Sequence, residues 1–128
     1  MAKTEERLIT VLEASAAVNT HFGATPNTRI TPGLLPQNPT LPAMTYRRIA
    51  GAPVSSMDGL DPLDNGLYQL DVWASTQKAA REAADAARDA IDASADLGAA
   101  LLSVFTDYES ETRIYRVSMD FSLWFHES

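Results

Sequence analysis

Residues Thr4 to Asn19 place Leu8, Val11, Leu12 and Ala16 on one face at helical spacing, which predicts an amphipathic helix. Thr4 can cap it and Glu5 and Glu6 suit its first turn, while Ser15 offers a point of break and re-entry and Gly23 closes the segment. Periodicity then lapses. Five of the seven prolines fall between Gly23 and Pro42, so this stretch predicts extended loop, with only Arg29 and Ile30 hinting at a short strand. Alternation returns from Ala43 to Ala50, with Met44 and Tyr46 on one face and Thr45, Arg47 and Ile49 on the other.

Gly51 to Gly66 contains Pro53, Pro62, Asp58-Gly59 and Asn65-Gly66, turn chemistry that predicts a long hairpin loop. A second strand follows from Leu67 to Ala74, where Tyr68, Leu70 and Val72 alternate with Gln69 and Asp71. Ser75 or Thr76 caps a helix to about Ala93, whose inward stripe is Ala80, Ala83, Ala84, Ala87 and Ile91. Two further strands, Ala99 to Tyr108 and Ile114 to Phe125, are joined at Glu109 to Thr112. In the last of these Tyr115, Val117, Met119, Phe121, Leu123 and Phe125 share a face. The predicted fold is α+β: an antiparallel sheet of about four strands with two main helices packed on one face. A chain of 128 residues suits one domain over residues 1–128, with long loops near 23–41 and 51–66, because two cores would each bury too little.

Composition alters this picture little. Hydrophobic residues at 45% and charged residues at 21% are those of a globular chain. No apolar stretch approaches the roughly 20 residues of a membrane span, and Met1 to Arg7 carries mixed charge without an apolar signal core, so assembly in a cytoplasm is expected. The absence of cysteine removes disulfides and thiolate chemistry. A formal charge of −7 disfavours broad binding to nucleic-acid phosphates.

Candidate chemistry is sparse. Asp58, Asp61 and Asp64 resemble a calcium loop only superficially: they are spaced by three, and the twelfth position from Asp58 is Gln69 where a bidentate Glu is needed. A solvated acidic loop is the reading adopted. His21 and His126 lie in no ligand pattern, and the nucleophile elbow, Walker and dinucleotide signatures are all missing. Arg47 and Arg48 form the only basic pair. Asp71 and Asp120 sit in mid-strand, where Asp is depleted, so cross-strand ion pairs with Arg47 or Arg116 are expected in preference to a catalytic carboxylate pair. Trp73 and Trp124 are expected to fill core or interface positions. Catalytic, cofactor-binding and metal-binding residues are assigned to none.

The runs LPAMTYRRIAG from Leu41, SMDGLD from Ser56, LYQLDVWASTQKAAREAADAARDAID from Leu67 and YESETRIYRVSMDFSLWF from Tyr108 resemble the bacteriophage tail-completion family, which includes tail terminators of long-tailed phages and gene-transfer particles. The resemblance runs from the first helix to Phe125, and its most specific parts are Val72 to Ala74 opening the alanine-rich helix and the terminal RVSMDFSLWF. The chain departs from the family pattern by extra residues near Gly33 to Pro39.

The resemblance implies a structural virion protein, not an enzyme: a homo-oligomeric ring, commonly a hexamer, at the head-proximal end of the tail. Such a ring caps the tail-tube protein, ends tube polymerisation and meets the head-tail connector protein. A charge of −7 per subunit, multiplied round a ring, suits a lumen through which DNA passes without specific binding. Ring closure needs a heterologous interface, and the segments with spare length are Gly23 to Pro39 and the second loop, through Pro53, Val54, Met57, Asp58, Leu60, Asp61, Leu63 and Asp64. A head-side neck adaptor ring and a small acidic ligand-binding domain are the alternatives.

Overall fold

The computed structural model describes residues 3–23, 28–33, 40–54, 63–94, 98–110 and 113–126. Three helices, α1 (Lys3–Ala14), α2 (Ala16–Phe22) and α3 (Gln77–Asp92), accompany strands β1 (Ile30–Pro32), β2 (Ala43–Val54), β3 (Leu63–Ala74), β4 (Ala100–Glu109) and β5 (Ile114–His126). The strands form one sheet in the order β1-β2-β3-β5-β4.

Ser15 divides the first helical segment as its chemistry suggests. Its extended backbone lets its Oγ accept from the Val18 N–H at 3.3 Å, capping α2. Gly23, at φ 88°, ends α2, and its N–H donates to the Asn19 carbonyl at 2.9 Å. Leu8 and Leu12 of α1 and Val18 and Phe22 of α2 are fully buried pairs four apart, the spacing that turns both side chains to one face. Thr76 caps α3 by accepting from the Ala79 N–H at 3.1 Å, and the predicted stripe of four alanines and Ile91 is buried.

The core lies between these helices and one face of the sheet. Met44 and Tyr46 of β2, Tyr68, Leu70 and Val72 of β3, and Val117, Met119, Phe121 and Leu123 of β5 alternate into it. Small side chains on α3 let its backbone approach β3 and β5, the strands it crosses.

Two expectations require correction. Among the described residues the sheet has five strands and is mixed, because β1 pairs with β2 in parallel from Ile30↔Met44 to Pro32↔Tyr46. The sequence hints at this strand only through Arg29 and Ile30, and the prolines around it point to loop. Among the described residues the helices number three rather than two main ones, because the break at Ser15 makes two helices of the first segment.

The second correction concerns the hairpin. β2 and β3 stay paired through Ala50↔Leu67, Gly51↔Gly66, Pro53↔Asp64 and Val54↔Leu63, so much of the stretch from Gly51 to Gly66 is strand. Gly, Pro, Asn and Asp are poor strand formers, and local propensity pointed to loop. Pro53 is tolerated because, past Tyr46, β2 is an edge strand among the described residues. Gly66 is required by packing: a Cβ there would run into the ring of Tyr68, which is wholly buried.

Candidate functional site

The helices cover one side of the sheet. On the other, residues from β2, β3, β5 and β4 form an open face tiled with polar and aromatic side chains. Trp73 Nε1 donates to Thr45 Oγ1 at 3.2 Å. The Arg116 guanidinium carbon stands 5.5 Å from the Trp73 ring centroid and 5.4 Å from that of Phe105, a cation between two aromatic faces. Arg116 Nη2 also reaches Asp107 Oδ2 at 3.3 Å. Threonine, tryptophan, arginine and the Phe105–Asp107 pair thus make a row across four strands, fixed by the register Trp73↔Arg116↔Asp107.

Beside this row, Gln69 is a hub. Its Oε1 accepts from Arg47 Nη2 at 3.1 Å, and its Nε2 donates to Asp71 Oδ1 at 3.1 Å and to Ser118 Oγ at 3.2 Å. Ser118 and Thr45 are buried, and these bonds satisfy polar atoms whose desolvation would otherwise cost about 1–3 kcal/mol each.

The four residues expected to form ion pairs lie on one face, but they take other partners than one another. Arg47 reaches Asp71 through Gln69, Arg116 takes Asp107 on β4, and Asp120 accepts from Ser103 Oγ at 2.9 Å. Gln69 and Asp107, which organise these contacts, were missed by sequence reasoning because each becomes a partner only through the strand register. Of the expected interface loop, Met57, Asp58, Leu60 and Asp61 lie outside the described residues, while Pro53, Val54, Leu63 and Asp64 belong to the paired ends of β2 and β3.

A second surface is the outer edge of β4. Every residue of this strand except Leu101 is exposed, and among the described residues β5 is the only strand beside it. Leu102 is 58% exposed, Val104 and Phe105 49% each, and Tyr108 44%. Val104 and Thr106 face an open groove of about 240 Å³, walled on the other side by Arg81, Ala84, Asp85 and Arg88 of α3. A long, apolar, uncovered edge strand is a template for association that isolated monomers usually blunt. The sequence did carry a signal: Leu101, Leu102, Val104 and Phe105 put apolar groups on both sides of the strand.

Among the described residues, no group of three or more His, Cys, Asp or Glu could hold a metal ion, and no helix is long and apolar enough to cross a membrane.

Among the described residues, then, the fold is an α+β domain whose helices back one face of a mixed sheet and leave the other face and the β4 edge without a covering element. Residues 6–126 match the family model described as tail completion protein gp17, and the chain belongs to that family, which makes it a structural protein of a bacteriophage tail. A chain of a solved structure titled "Virion of native gene transfer agent (GTA) particle" shares the fold at a TM-score of 0.69 with 18% identity, over 93% of this chain and 91% of that one. A search of curated proteins returns no match.

Proposed function

We propose that this protein is a non-enzymatic virion component that assembles as a homo-oligomeric ring, a hexamer, on the head-proximal end of the tail tube. There it ends tube polymerisation and offers the surface to which the head connector joins, with DNA passing through its lumen. The observation that carries this reading is the family match over residues 6–126, and the shared fold with a chain of a gene transfer agent particle supports it. Two further features are in keeping with it. Among the described residues the sheet has an open strand edge at each lateral end, and two unlike edges of this kind suit the heterologous contact of a rotational ring. A formal charge of −7 per subunit would keep DNA from adhering during passage.

The test is to image tails made with and without the protein by electron microscopy. Overlong or headless tails in its absence, restored to uniform length and head attachment on adding it back, are the expected result. Tails of normal length that join heads equally well without it would remove the role. If tube length is normal but heads fail to attach, and the protein binds purified portal protein rather than tail-tube protein, a neck adaptor on the head side is the correct reading.

A further inference from the structure

We infer that the two open edges of the sheet are the halves of one interface: β4 of one copy pairs antiparallel with residues 47–54 of β2 in the next copy, so that the sheet continues from subunit to subunit. This rests on the reading that the chain assembles with itself in a ring, and it names the surfaces that close that ring.

The edges match in length and direction. β1 covers β2 only from Met44 to Tyr46, so among the described residues the outer side of β2 is open over residues 47–54, a stretch equal in length to residues 100–107 of β4. The pairs β2·β3, β3·β5 and β5·β4 are all antiparallel, so β4 runs opposite to β2. Rotation about an axis roughly along the strands brings β2 of one copy beside β4 of its neighbour with that opposition kept. The antiparallel alternation then passes through the junction unbroken, and the helices of every copy stay on one side.

The side chains match as well. Setting Asp107 of one copy opposite Arg47 of the next brings Phe105 opposite Ile49, the residue at the β2 irregularity between Arg48 and Ala50. The first pair joins opposite charges on the open face. The second buries two apolar side chains that are 49% and 44% exposed in the single chain. Five of the six large apolar residues exposed among the described residues lie on these two edges, four on β4 and Ile49 on β2. Pairing of β4 with a second β4 would leave Ile49 uncovered and would offer Asp107 and Glu109 no cation from the partner strand, since β4 contains no Lys or Arg.

The chain has no cysteine of its own, so introduced pairs report the junction directly. Opposed residues of an antiparallel pair have Cα atoms roughly 4.5–5.5 Å apart, within disulfide reach. The double variant Ile49→Cys with Phe105→Cys, and separately Arg47→Cys with Asp107→Cys, should give on mild oxidation a ladder of multimers that collapses to monomer with reductant. Each single variant should remain monomeric, as should the out-of-register pair Arg48→Cys with Phe105→Cys.

The oxidation is done on purified protein and on isolated virus particles assembled with each variant. Dimers from Phe105→Cys alone would overturn the proposal in favour of β4 pairing with itself. Failure of both double variants to cross-link in particles that contain the chain would overturn it while leaving the tail role standing. A ladder from the purified double variants, with the chain absent from particles, would support the junction and remove the tail role instead.

Discussion

β5 and β4 are paired neighbours and both are rich in apolar residues, yet they end in opposite environments. Val117, Met119, Phe121 and Leu123 of β5 are sealed beneath α1 and α3, whereas Leu102, Val104, Phe105 and Tyr108 of β4 stand in solvent. The cause is the reach of the helices: α3 lies over β3 and β5, and its far side only borders the groove above Val104 and Thr106. Apolar content sets what a strand can bury, and the width of the helical layer sets which strands do so. Among the described residues, β4 is the strand that this layer leaves exposed.

The contrast predicts unequal costs of truncation. Phe121→Ala on β5 removes a fully buried ring and should lower stability by about 3–5 kcal/mol. Phe105→Ser on β4 should cost the isolated chain far less, with assembly carrying the loss instead. Urea unfolding of both variants measures this. Equal destabilisation would mean that β4 is as much a part of the monomer's core as β5.

The next effect concerns the stretch of hairpin that propensity assigned to loop. Gly66→Ala puts a methyl group against the Tyr68 ring and should cost about 1–3 kcal/mol, as overpacking of a tight site does. Because Gly66 pairs with both Gly51 and Leu123, the damage should spread to β5. Amide exchange at Leu123 should accelerate more than at Val104. An unchanged unfolding midpoint would show that this end of the ladder opens freely.

A smaller effect, about 1 kcal/mol, is expected from Thr76→Ala, which deletes the cap on α3. The loss should appear as an earlier thermal transition recorded by helix circular dichroism. Since α3 covers β5 rather than β4, residues of β5 should lose exchange protection while those of β4 change little. Uniform loss along both strands would erase the distinction between them.

Much of this arrangement was legible in the sequence, and what escaped has a common cause. The alternation in Leu67 to Ala74 and Ile114 to Phe125, the alanine stripe of α3, the break at Ser15 and the cap at Thr76 are local patterns, and local patterns are what a sequence displays. The parallel pairing of β1, the persistence of strand through Gly51, Pro53 and Gly66, and the role of Gln69 depend on what lies across the ladder. No window of neighbouring residues contains that information. The ion-pair candidates show both sides: Arg47, Asp71, Arg116 and Asp120 could be placed on one face by period-two counting, but the choice of Asp107 for Arg116 follows from a register of nine residues across a turn.

The smallest effect tests the turn that separates the two environments. Arg113, which leads into β5, has φ 58°, a left-handed conformation that is costly for a residue with a Cβ and free of that cost for glycine. Its N–H donates to the Glu109 carbonyl at 2.8 Å, so the conformation is held by the closing bond of the β4–β5 hairpin. Arg113→Gly keeps that N–H and removes the strain, offset by the larger backbone freedom of glycine in the unfolded chain. A net gain of roughly 0.5–1 kcal/mol is expected, seen as a higher urea midpoint with an unchanged slope. Arg113 lies at neither open edge, so the cross-linking ladder of the Ile49 and Phe105 cysteine pair should form in this background as it does in the parent. A gain in stability with the ladder intact would show that the hairpin can be tightened without altering the edge it presents. A gain accompanied by loss of the ladder would show that β4 must flex at its turn to receive its neighbour.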